Sequence, residues 1–145
     1  MRRKGLLALF TWFALLSVAG GNDEADRKAL QGTWRPQSAQ LAGAEFPAVV
    51  LKSITLVIDG DRYKVTATES VDEGTTTIDS SKSPKHMTIK GTKGPNEGKT
   101  FLAIYEIKGD TLTVCYDLSG KAFPTEFKSA ADTQLYLSRY QREKP

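Results

Sequence analysis

The sharpest alternation of apolar and polar positions falls at residues 101–118, FLAIYEIKGDTLTVCYDL. Gly109 and Asp110 suit a two-residue type I′ or II′ turn, and that turn sets the register of both arms. Counting outward pairs Ile107 with Leu112, Tyr105 with Val114, Ala103 with Tyr116 and Phe101 with Leu118. Period-two alternation places all of them on one face, and every pair is apolar or aromatic. The other face carries Lys108/Thr111, Glu106/Thr113, Ile104/Cys115 and Leu102/Asp117, a mixed set that predicts a largely wet surface.

A second hairpin follows the same rule at residues 54–68. With Gly60-Asp61 as its turn, Ile58 faces Tyr63, Leu56 faces Val65 and Ile54 faces Ala67. A one-residue slip would set Ile58 against Asp61, which excludes the neighbouring register.

The rest of the pattern is shorter. Residues 22–30, NDEADRKAL, predict a helix capped by Asn22 or Asp23, with acids in its first turn, ended by Gly32. A first strand opens at Thr33-Trp34-Arg35 and runs towards Ala39. Residues 41–52 form a connection with a short helical turn at 48–52, Asp72-Glu73-Gly74 is read as a turn, and 75–79 as a polar strand. A strand at 85–90 precedes a Gly/Pro/Asn loop at 91–99. After the 101–118 hairpin, a long connection at 119–132 leads to a last strand at 133–142, with Leu135, Leu137 and Arg139 on one face and Tyr136, Ser138, Tyr140 and Arg142 on the other. The expected fold is all-β: an antiparallel up-and-down barrel of about eight strands with a short N-terminal helix. Closure would remove the exposed edges and leave room for side chains or one small ligand; a two-sheet sandwich is the alternative.

The N-terminus changes how the charge is read. Arg2, Arg3 and Lys4 precede an uncharged, mostly apolar run at 5–18, and Ser17-Val18-Ala19 supplies small residues for signal peptidase. That run is shorter than the ~20 apolar residues of a membrane span. Residues 1–19 are therefore expected to be a signal peptide and 20–145 a single domain, exported to the periplasm or beyond the cell, with no membrane span after cleavage; an uncleaved anchor is the alternative. The chain has 20 Lys+Arg against 17 Asp+Glu, so removing those three basic residues leaves 17 against 17. The basic balance belongs to the targeting segment and offers nothing to a nucleic acid, which needs a clustered basic surface.

Candidate chemistry is sparse. Cys115 is the sole cysteine, so no internal disulfide forms, and its place beside Ile104 marks a small, partly buried apolar residue. His86 is the sole histidine, which excludes a structural zinc set, and no cofactor is expected. Gly94 to Thr100, GPNEGKT, imitates a phosphate loop, but Lys93 stands where the first glycine belongs and a strand follows instead of a helix. Ser80, Ser81 and Ser83 near His86 fit turn chemistry, and Asp72, Glu73 and Asp79 lack the dense alternation of a calcium loop.

Gly32-Thr33-Trp34, after a short helix and at the head of the first strand, resembles the Gly-x-Trp signature of lipocalins. Longer stretches, Leu30 to Trp34, Leu56 to Asp61, Gly94 to Thr100 and Thr113 to Ala122, resemble a lipocalin-like domain family of unknown function abundant in planctomycete bacteria. The resemblance covers nearly all of 20–145 and implies the barrel and export, but carries over no catalytic or binding residue. It gives Gly32 and Trp34 a structural role, with Trp34 plugging one end and an Arg of the last strand packed across it; Arg139 is expected to be that residue. Phe123 stands where the family pattern has Arg, which puts any ligand role of that Arg in doubt here.

The leading expectation is non-enzymatic binding of a small apolar or amphipathic molecule inside the barrel. Tyr63, Tyr105, Tyr116, Phe101 and Val114 are candidates to line the cavity or to fill it. On the last strand an Arg and a Tyr are candidates to hold a ligand carboxylate, with Tyr140 and Arg142 on one face and Arg139 on the other; stacking on Trp34 is the alternative for Arg139. The rival class is an interaction module with a filled core, its protein partner unidentified; an enzyme, working through carboxylates and tyrosines, ranks third.

Overall fold

A computed structural model describes residues 21–145; the expected signal peptide at 1–19 lies outside the described residues. The order is α1 (Asp23–Leu30), β1 (Gly32–Leu41), β2 (Ala44–Glu45), α2 (Ala48–Ser53), β3 (Ile54–Asp59), β4 (Arg62–Ala67), β5 (Ser70–Asp79), β6 (Lys85–Lys93), β7 (Thr100–Lys108), β8 (Thr111–Asp117) and β9 (Leu135–Arg142). Apart from the two-residue β2, which flanks β1, consecutive strands pair antiparallel, and β9 returns to β1 from Trp34↔Arg142 to Leu41↔Tyr136. The result is a closed eight-stranded up-and-down barrel with a short helix before it, which sets aside the sandwich.

Both predicted hairpins hold their register: Ile58↔Tyr63, Leu56↔Val65 and Ile54↔Ala67 in one, Ile107↔Leu112, Tyr105↔Val114 and Ala103↔Tyr116 in the other. The ladder stops at Leu102↔Asp117, one step short of Phe101 and Leu118. The inward faces form one core, with Trp34, Tyr105, Leu112 and Val114 all but inaccessible.

Three expectations need correction. The outer face of β7–β8 is not wet: Ile104 and Cys115 are fully buried. The 118–134 connection folds back over them, bringing the Lys128 carbonyl 3.5 Å from Cys115 Sγ and stacking Phe123 on His86 at 3.8 Å between ring centroids. Burial pushes the Cys115 thiol pKa up, as suits an apolar filler.

The second correction concerns Asp72-Glu73-Gly74, which is strand and not turn. Chain reversal occurs earlier, between Ala67↔Ser70, with Thr68 at φ 55°. Gly74 marks a bulge in the β5–β6 pairing and lies under the Tyr63 ring; a Cβ there would sit 2.6 Å from Tyr63 Cε1 and inside the Lys90 carbonyl. That glycine serves close approach, a role that glycine in a strand commonly plays.

The third concerns the arginine over Trp34. Arg142 occupies that place, its guanidinium carbon 4.2 Å from the Trp34 ring centre, while Arg139 is exposed on the outer wall. Parity decides this: Arg142 is the register partner of Trp34, and Arg139 pairs with Ser38 and Thr113 on the opposite face.

Candidate functional site

Antiparallel connectivity sorts the loops into two ends. The 60–61, 80–84 and 109–110 turns gather at the end that α1 crosses. The 68–69 turn, the 94–99 loop, α2 and the 118–134 connection gather at the other.

The α1 end is shut by directional bonds. Asn22 caps the helix by accepting from the Ala25 amide at 3.1 Å. Asp23 accepts from the Ser80 amide at 2.7 Å and from its hydroxyl; those bonds hold its carboxyl below the usual carboxylate range. Arg27 donates to the Thr76 carbonyl at 3.0 Å, and Gln31 exchanges bonds with the backbone of Gly60. Asp26 accepts from Tyr105 Oη at 2.7 Å and pairs with Lys85 at 2.8 Å. Leu30 seals the interior, and Trp34 Nε1 donates to its carbonyl at 2.8 Å. Arg142 completes the closure. It donates to the carbonyls of Ala29 (2.6 Å) and Gln31 and meets Asp110 at 3.0 Å, so a cation sits at the helix C-terminus where the macrodipole favours it. Gly32, at φ 126°, lets the guanidinium pass, since a Cβ there would lie 3.2 Å from Arg142 Nη1. The Gly32-x-Trp34 pattern thus has a local cause.

Beyond this plug the barrel encloses a cavity of about 340 Å³ that runs to the opposite end. Its walls are mainly apolar, from Leu56, Ile58, Val65, Met87, Ile89 and Phe101 among others. Of the predicted lining residues, Tyr63, Tyr116, Phe101 and Val114 border it. Tyr105 does not border it: its ring belongs to the plug end and its hydroxyl is committed to Asp26. Arg139 lies outside, so the expected carboxylate anchor is absent from this wall.

Polar groups border the cavity at the plug end, where Thr76 Oγ1 accepts from Arg27 at 2.7 Å, and in two further places. Near the mouth, Asp72 accepts from the Asn96 amide (3.0 Å) and side chain (2.9 Å) and from Tyr63 Oη (3.3 Å), tying the 94–99 loop to β5. On the β8–β9 wall, Tyr116 and Tyr140 share a hydroxyl–hydroxyl bond of 3.2 Å, and Tyr136 stacks on Tyr116 at 5.3 Å. Ser138, wholly buried between Tyr136 and Tyr140 on the same strand face, has no hydrogen-bond partner for its Oγ. Burial raises the pKa of Tyr63, Tyr116, Tyr136 and Tyr140, so these phenols are neutral at physiological pH. Tyr136 escaped the sequence reading as a cavity residue and Tyr140 entered it only beside Arg142, although the alternation of the last strand had placed all three on one face.

Among the described residues no group of three His, Cys, Asp or Glu side chains is placed to hold a metal ion. No known protein-family profile matches the chain, and no curated protein sequence matches it. The class is therefore defined by architecture: a closed, eight-stranded antiparallel barrel consistent with a lipocalin-like fold, plugged at one end and hollow towards the other.

Proposed function

We propose that this protein is an exported, non-catalytic binder of a small apolar or amphipathic molecule, held in the barrel cavity. The observation that carries the reading is the cavity itself. A domain of this size usually packs its interior without such a void, and small-molecule sites typically measure ~300–1,000 Å³ with mostly apolar walls and a few polar groups. A volume of about 340 Å³ sits at the lower bound of that range. It equals roughly eleven water molecules at about 30 Å³ each, room for a compact ligand. The cavity also weighs against an interaction module with a filled core. Export rests on the 1–19 segment, and the finer kinship, with the planctomycete lipocalin-like family, on the motifs quoted above. Fold alone does not establish the activity.

Native mass spectrometry of the protein purified from its own host tests the reading. A reproducible added mass of a small molecule, released on denaturation, is the expected result. A bare chain that gains no thermal stability from any apolar probe would overturn it.

A further inference from the structure

We propose that the tyrosine wall selects the head group of the ligand: it takes a neutral oxygen acceptor, such as a ketone, ester or alcohol, and rejects a carboxylate. This rests on the reading that the cavity holds a small molecule. The argument is a count of donors. When Tyr116 and Tyr140 share one hydrogen bond, one hydroxyl proton is used and the other remains to be given away. Ser138 Oγ, fully buried on the same strand face as Tyr140, makes no hydrogen bond of ordinary geometry and does not border the cavity. The donor that an incoming oxygen can reach is therefore the spare proton of the Tyr116–Tyr140 pair, both of which do border it.

Charge fixes the class of that oxygen. Among the described residues lining the cavity there is no Lys, Arg or His. Arg142 is spent on the plug and Arg139 is outside the barrel. Asp72, the one carboxylate bordering the cavity, adds negative charge near the mouth. A buried carboxylate without a cation keeps most of its desolvation cost, whereas a carbonyl or alcohol oxygen pays far less and gains the same donors. The alkyl remainder of such a molecule would extend along Phe101, Ile89 and Val65 towards the mouth.

The test uses the full protein as isolated and the neutral fluorophore N-phenyl-1-naphthylamine as a reporter of cavity occupancy. Decan-2-one, decan-1-ol and ionised decanoate then compete for the site. The ketone and alcohol are expected to displace the reporter at concentrations about tenfold or more below decanoate, the cost of burying an unpaired charge. Tyr140→Phe and Tyr116→Phe are each expected to weaken decan-2-one by about three- to tenfold, the worth of one hydrogen bond, without changing reporter affinity. Unchanged reporter affinity in both variants shows that the cavity itself is intact. Decanoate competing as well as the ketone, or both variants binding decan-2-one as the parent does, would overturn the head-group assignment while leaving the cavity reading intact. Failure of the reporter and all three competitors to bind would overturn both.

Discussion

At one end of the barrel α1 contributes a single buried side chain, Leu30, yet is tied to Gly60, Thr76, Ser80, Lys85 and Tyr105 by hydrogen bonds and an ion pair. At the other end α2 has no buried residue, its first turn lacks a side-chain cap, and Val49, Val50 and Val71 stand exposed. The helices are similarly short, and neither would be stable alone. What separates them is whether the polar groups around them find partners. Directional bonds to backbone atoms of the 60–61 and 80–84 turns and of Thr76 lock α1 across the opening, whereas the mouth is held through Asp72 and the folded-back 118–134 connection. The barrel is thus shut by a helix at one end, while at the other its cavity is bordered by loops tied largely to one another and to strand ends.

The comparison predicts unequal costs. Trp34→Ala should cost the most, about 3–5 kcal/mol, since it empties the centre of the plug and strips the stacking partner from Arg142; urea unfolding measures it. Arg142→Ala is next, at about 2–3 kcal/mol, because it leaves the Ala29 and Gln31 carbonyls without their charged donor. Arg139→Ala should stay within about 0.5 kcal/mol, as an exposed residue with no such role does. Reversal of those two values would return the plug to Arg139 and break the assignment.

Alkaline titration sharpens the contrast between plug and cavity. All five tyrosines, Tyr63, Tyr105, Tyr116, Tyr136 and Tyr140, have pKa values raised chiefly by burial. Folded values above the unfolded ~10 mean that the neutral phenols support the fold fully below pH ~10. That support is lost as pH rises through the folded values. Tyrosinate absorbance should therefore appear late and together with loss of β circular dichroism. A reversible phase near pH ~10 in the folded protein would show that the cavity wall is wetter than the plug. The mouth should respond less than the plug: Asp72→Asn should cost about 1 kcal/mol, the order of one hydrogen bond, with faster amide exchange confined to the 94–99 loop. A global loss like that of Arg142→Ala would mean that the two ends are fastened equally.

Much of this architecture was legible in the chain. The turns at Gly60-Asp61 and Gly109-Asp110 are local, and together with alternation they set two registers before any long-range contact is considered. The turn at Thr68-Glu69 was not legible, because neither residue carries the usual signal for positive φ, while Gly74 offered a false one. Arg139 misled for a different reason. Arg142, three places on, shared the inward face with Tyr140 in the alternation, but only the β1–β9 register shows which arginine meets Trp34. The candidate site was half visible: Tyr63 and Tyr116 were expected at the cavity, whereas Tyr105 is diverted by Asp26 from a helix far away in sequence.

By itself the sequence determined the class of element, the inward face of each hairpin and the even charge balance of residues 20–145, since these follow from periodicity, turn chemistry and composition. Closure of the barrel, the burial of Ile104 and Cys115, the place of Arg142 and the size of the cavity were decided only by tertiary structure. The physical reason is range. Alternation and turns act over a few residues, whereas an enclosed volume and a shared hydroxyl bond between Tyr116 and Tyr140 depend on where β1, β8 and β9 meet.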